Sequence, residues 1–241
     1  MKKQIIKIIK EAGKLAISYQ NKINISKKED STIVTEGDIA VSNFLIEKLS
    51  KFHPVLSEEQ YNETLLDSSD TFFVIDPIDG TVSYSKKEDT WCTIVSLVKN
   101  NEPIMSFVYQ ATKDKLFFAE KGKGTFLITN GKKLKQNVSN HLKTIIVSPN
   151  YKQEDIQLVP DYKRLDLIKE YGAALKIMNI VEKNADIYPI KDRWFGVWDL
   201  IGPSLILKEA GGYFEFLDQY KFNLKEKKLN HPFIASSIKV N

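Results

Sequence analysis

The segment that most constrains this chain is Phe72-Phe73-Val74-Ile75-Asp76-Pro77-Ile78-Asp79-Gly80-Thr81. Four consecutive large apolar residues predict a buried strand. Two carboxylates three residues apart follow it directly, and then Gly-Thr. Pro77 has no N–H and a fixed φ, so the strand is expected to stop at Asp76-Pro77. Gly80 allows a backbone conformation that other residues resist, and Thr81 is placed to open a helix. The expected result is a turn that aims both carboxylates and the Ile78 carbonyl at one point. Hard oxygen donors of this kind suit Mg²⁺, and a helix N-terminus beside them suits a phosphate. A plain surface turn made of Asp, Pro and Gly fits each feature singly but fits poorly with all of them behind a buried strand.

The rest of the chain offers the body that such a strand needs. Its 241 residues, 42% hydrophobic and 27% charged, suffice for one large domain or two tightly joined subdomains. The helical spacing of Ile5, Ile8, Ile9, Ala12, Leu15, Ala16 and Tyr19 predicts a first helix. Residues 21–32 read as a loop or irregular hairpin. A second helix is expected from about Asp38 to Phe52, with Asp38 at its N-terminus and His53-Pro54 ending it. Strands are expected at 91–99, 103–109, 115–120, 124–128 and 143–148. Beyond 150 the pattern alternates: a helix near 173–183, a strand at 185–188, a helix near 200–210, and strands near 213–217 and 233–236. The whole reads as an α/β protein, with a strand-rich part over about 1–148 and a smaller alternating part over about 149–241, packed as one unit.

Composition excludes several classes. The net charge of +4, from 35 Lys+Arg against 31 Asp+Glu, is mild and spread, giving no support for a nucleic acid polymer as partner. The apolar runs are too short to span a membrane, and the amphipathic start, broken by Lys7, Lys10 and Glu11, lacks a signal-peptide core. With the single Cys92 read as a small core residue of a strand, a cytoplasmic location is expected. His53, His141 and His231 have no metal-ligand spacing, which argues against zinc. No apolar stripe is left over for an interface, so monomer and homodimer both stay open.

Three further acidic positions stand out. Glu58-Glu59 follows Val55-Leu56-Ser57, Trp198-Asp199 precedes an apolar helix ending in Glu209-Ala210-Gly211-Gly212, and Asp38 follows Val34-Thr35-Glu36-Gly37. Singly these are weak, because glutamate pairs are usually solvated and an Asp at a helix start is usually a cap. Together with Asp76-Pro77-Ile78-Asp79-Gly80-Thr81, in this order, the set resembles the inositol monophosphatase superfamily. That resemblance covers most of the chain, including Gly122-Lys123-Gly124 and Gly172-Ala173-Ala174. It implies a layered α/β/α/β/α fold with two or three Mg²⁺ ions at the subdomain junction. It also implies that Glu58, Asp76, Asp79 and the Ile78 carbonyl hold the first ions, that Asp199 joins Asp76 and Asp79 on a second, and that Asp38 serves a weaker third. Thr81 would orient the attacking water, helped by Glu58 or Asp38, and lithium would inhibit. The chemistry fits so many acids: a phosphate monoester is dianionic, and cations neutralise it, acidify a water and stabilise the leaving alkoxide. Backbone N–H groups near Gly80 and Thr81 would hold the phosphoryl oxygens.

Within the superfamily, the chain resembles the 3′(2′),5′-bisphosphate nucleotidases in Asp76 to Val98, with Tyr84 and Lys86-Lys87, in Tyr188-Pro189, and in Lys176 after Gly172-Ala173-Ala174-Leu175. This implies a small phosphorylated metabolite, adenosine 3′,5′-bisphosphate, as substrate. The chain departs from that pattern at Ala173, where a serine is usual, and at Ile190, where an arginine is usual. Lys176, Lys191 or Arg193 would then meet the second phosphate, and Tyr188 or Trp194 would stack on the base. Inositol monophosphatase and fructose-1,6-bisphosphatase are the alternative activities, and a phosphometabolite-binding sensor is the non-enzymatic one. A haloacid-dehalogenase-type phosphatase fails because its nucleophile would fall on Pro77. A calcium-binding EF-hand fails because Ile78 and Lys87 occupy its third and twelfth positions.

Overall fold

The computed structural model describes residues 1–22, 25–27 and 33–240. Its helices are α1 (Lys2–Gln20), α2 (Glu36–Leu49), α3 (Thr64–Ser68), α4 (Thr81–Ser85), α5 (Gln153–Ile156), α6 (Ala173–Val181) and α7 (Val197–Glu209). The strands are β1 (Ile25–Lys27), β2 (Ile33–Thr35), β3 (Val55–Ser57), β4 (Thr71–Asp79), β5 (Cys92–Lys99), β6 (Glu102–Gln110), β7 (Lys115–Glu120), β8 (Thr125–Thr129), β9 (Lys132–Gln136), β10 (Thr144–Val147), β11 (Asp166–Lys169), β12 (Ile187–Ile190), β13 (Phe195–Gly196), β14 (Tyr213–Phe216), β15 (Lys228–Leu229) and β16 (Phe233–Ser236). Among the described residues β3 to β9 form a seven-stranded sheet in sequence order, and a five-stranded sheet runs β11-β10-β12-β16-β14. β3 lies parallel to β4, and every later neighbour in the large sheet is antiparallel.

The layers follow from the alternation of side chains along each strand. In β4, Phe73 and Ile75 pack with Val95 and Phe107 against Ile5, Ile9, Val41 and Leu45 of α1 and α2. Phe72 and Val74 face the other way, into a second cluster with Leu175, Met178, Leu200 and Ile201 of α6 and α7. That cluster continues into Tyr188, Phe214 and Phe233 of the small sheet, whose outer face is covered by Ile156 and Val159. The order is helix, sheet, helix, sheet, helix. α7, apolar on nearly every side, is the helix such a middle layer requires. A side chain on Gly202 would collide with the Ser96 and Ser106 hydroxyls, so α7 rests its backbone directly on the large sheet.

Several expectations need correction. β4 does not stop at Asp76-Pro77 but runs to Asp79. α2 begins at Glu36 with Thr35 as its cap, which makes Asp38 the third helical residue, and it ends at Leu49, before His53-Pro54. α7 starts at Val197, so Asp199 lies inside its first turn. Residues 21–32, expected as a loop or irregular hairpin, hold β1, paired antiparallel with β2 as in a hairpin, and residues 23, 24 and 28–32 of them lie outside the described residues. β9 and β11 are absent from the sequence-based expectation because they are exposed edge strands with no buried face to mark them. Among the described residues no helix is long and apolar enough to cross a membrane.

Candidate active site

In a regular strand, residues three apart face opposite sides of the sheet. Asp76 and Asp79 escape this because β4 bulges between them: Asp76 pairs with Ile94 and Asp79 with Cys92, so one extra residue is inserted. The bulge holds Pro77, which has no N–H to give to a ladder. Its carbonyl accepts a hydrogen bond from Thr93 Oγ1 at 2.9 Å, and the Ile78 N–H donates to Asp76 Oδ1 at 2.9 Å. Gly80 then turns the chain at φ +92°, where a Cβ would also sit 2.8 Å from the Thr90 carbonyl oxygen. Thr81 opens α4 and donates its hydroxyl to the Ile78 carbonyl at 3.2 Å.

Two other segments deliver acids to this bulge. The parallel ladder sets Ser57 opposite Ile75, and the Glu58 N–H donates to the Ile75 carbonyl at 3.2 Å, which places Glu58 beside Asp76. The hydroxyls of Ser42 and Ser57, 2.8 Å apart, tie α2 to the strand behind it. Asp199 accepts the Gly196 N–H at 2.9 Å as part of the cap of α7 and hydrogen-bonds Asp76. Glu58, Asp76 and Asp199 each offer an oxygen within 4.8 Å of the other two. Burial first, and then the neighbouring carboxylates, hold Asp76 and Asp199 well above the usual carboxylate range. Crowded like charges with few compensating donors are costly unless a cation joins them. As an all-oxygen donor set the trio fits Mg²⁺.

The remaining predicted residues surround the trio without all converging on it. Asp79 is buried, and its two oxygens accept the N–H groups of Ala173 (3.2 Å) and Ala174 (2.8 Å) in the first turn of α6. Burial raises its pKa, while these bonds oppose the rise. Asp38 Oδ2 accepts from the Thr35 N–H at 2.8 Å and the Thr35 hydroxyl at 2.6 Å, closing a capping box. It lies close enough to add to the raising of the Asp76 pKa. Lys176 is only 2% exposed. Its ammonium donates to the carbonyls of Gly172 and Glu170 and sits 4.9 Å from the centre of the Tyr188 ring. Burial pushes its pKa down to about 8. The Arg193 guanidinium donates to the side chain and carbonyl of Asn150 at 3.3 and 3.1 Å. Lys191 is exposed and gives its backbone N–H to Asp155.

Tyr188, fully buried between Lys176 and Phe233, presents no face to a base, which corrects the stacking expectation. Trp194, 65% exposed, keeps a free surface. Cys92 is buried as expected, its thiol held in the protonated form by burial and by Asp79. Sequence reasoning missed the amides of Ala173 and Ala174 as partners of Asp79. Its only trace was Gly172 ahead of an apolar helix.

A layered sandwich that gathers three carboxylates at a bulged strand end has the donor set of a hard-cation site. Residues 1–233 match the inositol monophosphatase family, and the chain is a member of that family. It is 29% identical to the 3′(2′),5′-bisphosphate nucleotidase CysQ of Haemophilus influenzae, over 96% of this chain and 90% of that protein. It is 26% identical to the inositol-1-monophosphatase of Bacillus subtilis, over 96% of this chain and 89% of that one. The fold is shared with the solved structure of CysQ from Bacteroides thetaiotaomicron, with a TM-score of 0.81, 23% identity, and coverage of 97% and 96% of the two chains.

Proposed function

We propose that this phosphatase is a Mg²⁺-dependent 3′(2′),5′-bisphosphate nucleotidase that removes the 3′ phosphate of adenosine 3′,5′-bisphosphate. The observation that carries the metal-dependent chemistry is the convergence of Glu58, Asp76 and Asp199. The substrate assignment is supported by CysQ relatives from three bacteria, 27–29% identical over nearly the whole chain.

Glu58, Asp76 and Asp199 would hold the metal, with Asp79, the Ile78 carbonyl and Asp38 completing sites for two or three ions. Bound Mg²⁺ supplies the positive charge that offsets the dianionic ester, lowers the pKa of water and steadies the departing alkoxide. The protein's own share is positioning. The Thr81 hydroxyl, fixed by the Ile78 carbonyl, orients the water, and Glu58 or Asp38 accepts its proton. The N–H groups of Gly80 and Thr81 hold phosphoryl oxygens. Arg193 and Lys191 offer charge to the second phosphate, whereas Lys176, bound to main-chain carbonyls, acts on it only through its field.

The test is phosphate release from adenosine 3′,5′-bisphosphate, inositol 1-phosphate and fructose 1,6-bisphosphate, each with and without Mg²⁺. Mg²⁺-dependent release from the nucleotide, well above the other two, is expected. Preference for inositol 1-phosphate, the activity in the name of the Bacillus subtilis relative, would overturn the substrate and keep the metal site. Inactivity on all three would favour a phosphometabolite sensor.

A further inference from the structure

The connection between β14 and β16, residues 217–232, does more than join two strands. It leaves the small sheet, reaches over to the ends of two acid-bearing segments and returns, its ends joined by the Leu217 N–H to Pro232 carbonyl bond of 2.8 Å. On the way out, the Leu224 carbonyl accepts the Tyr61 hydroxyl at 2.7 Å, three residues beyond Glu58. Lys227 Nζ lies 4.1 Å from the centre of the same Tyr61 ring. The Lys227 carbonyl then accepts the Val197 N–H at 3.1 Å, and β15 pairs with β13 through Phe195↔Leu229 and Gly196↔Lys228. These contacts fix the chain immediately before Asp199, whose own cap bond is to Gly196. One strap therefore grips the loop after Glu58 and the start of the helix carrying Asp199.

A single side chain closes the strap on itself. His231 Nδ1 lies 2.6 Å from Asp218 Oδ2, and Nε2 lies 3.1 Å from Glu226 Oε1. The ring stacks on Tyr220 at 3.7 Å between centroids, and Phe216 of β14 meets it edge-on. A neutral imidazole has only one N–H, so satisfying both carboxylates takes the imidazolium.

We propose that His231 is a positioning residue, the latch that holds the 217–232 strap closed and through it sets Glu58 and Asp199 at the spacing the metal requires. This rests on the reading of those two carboxylates as Mg²⁺ ligands. Burial alone would push the imidazole pKa down, but the hydrogen bonds to Asp218 and Glu226 outweigh it and raise it. Asp218, conversely, is lowered, first by its bond to His231. With the folded-state pKa raised, the latch is complete below the unfolded value of about 6.5 and is lost as pH rises through the folded one.

The experiment uses the full chain, without substrate, as wild type, His231→Phe and Asp218→Asn. His231→Phe keeps a ring on Tyr220 and removes both bonds, and Asp218→Asn keeps the ring and weakens one bond. Two quantities are read: hydrogen-exchange protection of the Val197 amide across pH 5–8, and Mg²⁺ affinity by calorimetry. The latch predicts Val197 protection about tenfold lower in His231→Phe at low pH, with wild type and variant converging as pH rises. It also predicts Mg²⁺ binding about tenfold weaker in that variant. A folded His231→Phe with unchanged Val197 protection and unchanged Mg²⁺ affinity overturns it. Should that variant not fold, Asp218→Asn decides by the same two readings. If wild type itself does not bind Mg²⁺, the metal reading falls and the latch is judged on exchange alone.

Discussion

The acidic and basic groups around this site are organised in opposite ways. Glu58, Asp76 and Asp199 come from three separate segments and converge, so that Glu58 and Asp199 both raise the pKa of Asp76. The cations nearby have each been provided for: Lys176 by the carbonyls of Gly172 and Glu170, Arg193 by Asn150, and Lys191 by solvent. A fold that leaves like charges crowded keeps a standing demand for a ligand of opposite sign. A fold that satisfies its charges internally uses them as structure. By this criterion the acidic side of the site is suited to a cation, and much of the basic side is built for the protein itself.

Asp76→Asn strikes the crowded side and carries the largest expected effect. Removing a carboxylate from the middle of the trio should lower Mg²⁺-dependent turnover about a thousandfold or more. In chelator the same variant should melt at a higher temperature than wild type, because the buried member of three crowded carboxylates is gone. The two readings must move in opposite directions. Turnover at the wild-type level, or a lower melting temperature, would remove the argument that these acids await a cation.

The pH dependence of the metal-free protein tests the same point. Asp76 and Asp199 have folded-state pKa values raised above the unfolded value, first by burial and then by neighbouring carboxylates, Glu58 and Asp199 around Asp76 and Asp79 and Glu58 around Asp199. The folded chain therefore holds more protons, and stability is lost as pH rises from about 4 through those folded values. Urea denaturation in chelator should show this decline, and excess Mg²⁺ should remove it. A metal-free protein that gains stability over that range would contradict the crowding.

Asp79 lies on the boundary between the two arrangements, and Asp79→Asn separates it from Asp76. Its oxygens accept two backbone N–H groups of α6, and an amide offers only one acceptor while turning a donor toward the other N–H. In chelator this variant should lose about 1–3 kcal/mol of stability, where Asp76→Asn gains. Turnover should fall in both. Equal melting shifts for the two variants would show that Asp79 belongs with the crowded trio.

What the sequence disclosed follows the same division. The strand into Asp76, the turn at Gly80 and the acids at Glu58 and Asp199 were legible because hydrophobic pattern and local chemistry specify them within a few residues. The bulge was not legible: Pro77 reads as a stop, and only the continued pairing of Asp79 with Cys92 across the sheet reveals it as an insertion. The surroundings of Lys176 were not legible, because a lysine in sequence carries no sign of whether its ammonium meets solvent, substrate or its own backbone. Tyr188 was offered as a stacking face and is sealed in the core, because Lys176 of α6 and Phe233 of the neighbouring strand β16, distant in the chain, pack around its ring. The strap of 217–232 escaped notice entirely, since its function depends on pairing with Phe195 and Gly196.

The smallest effect is the sharpest test of the satisfied side. Lys176 is held at a pKa of about 8 in the folded chain, chiefly by burial, against about 10.4 when unfolded. Between these values the unfolded chain carries more protons, so this residue makes stability rise with pH. Lys176→Met keeps the length of the side chain and removes the titration. The stability difference between wild type and Lys176→Met, measured in urea at steps from pH 7 to pH 10.5, should therefore shift toward wild type as pH rises. Other titrating lysines and tyrosines are common to both proteins and cancel in the difference. A difference that shifts toward the variant instead would mean that the Gly172 and Glu170 carbonyls and the nearby Asp79 more than offset burial. Lys176 would then be a charge held for use, and the basic side of the site would have to be reread as a second binding surface.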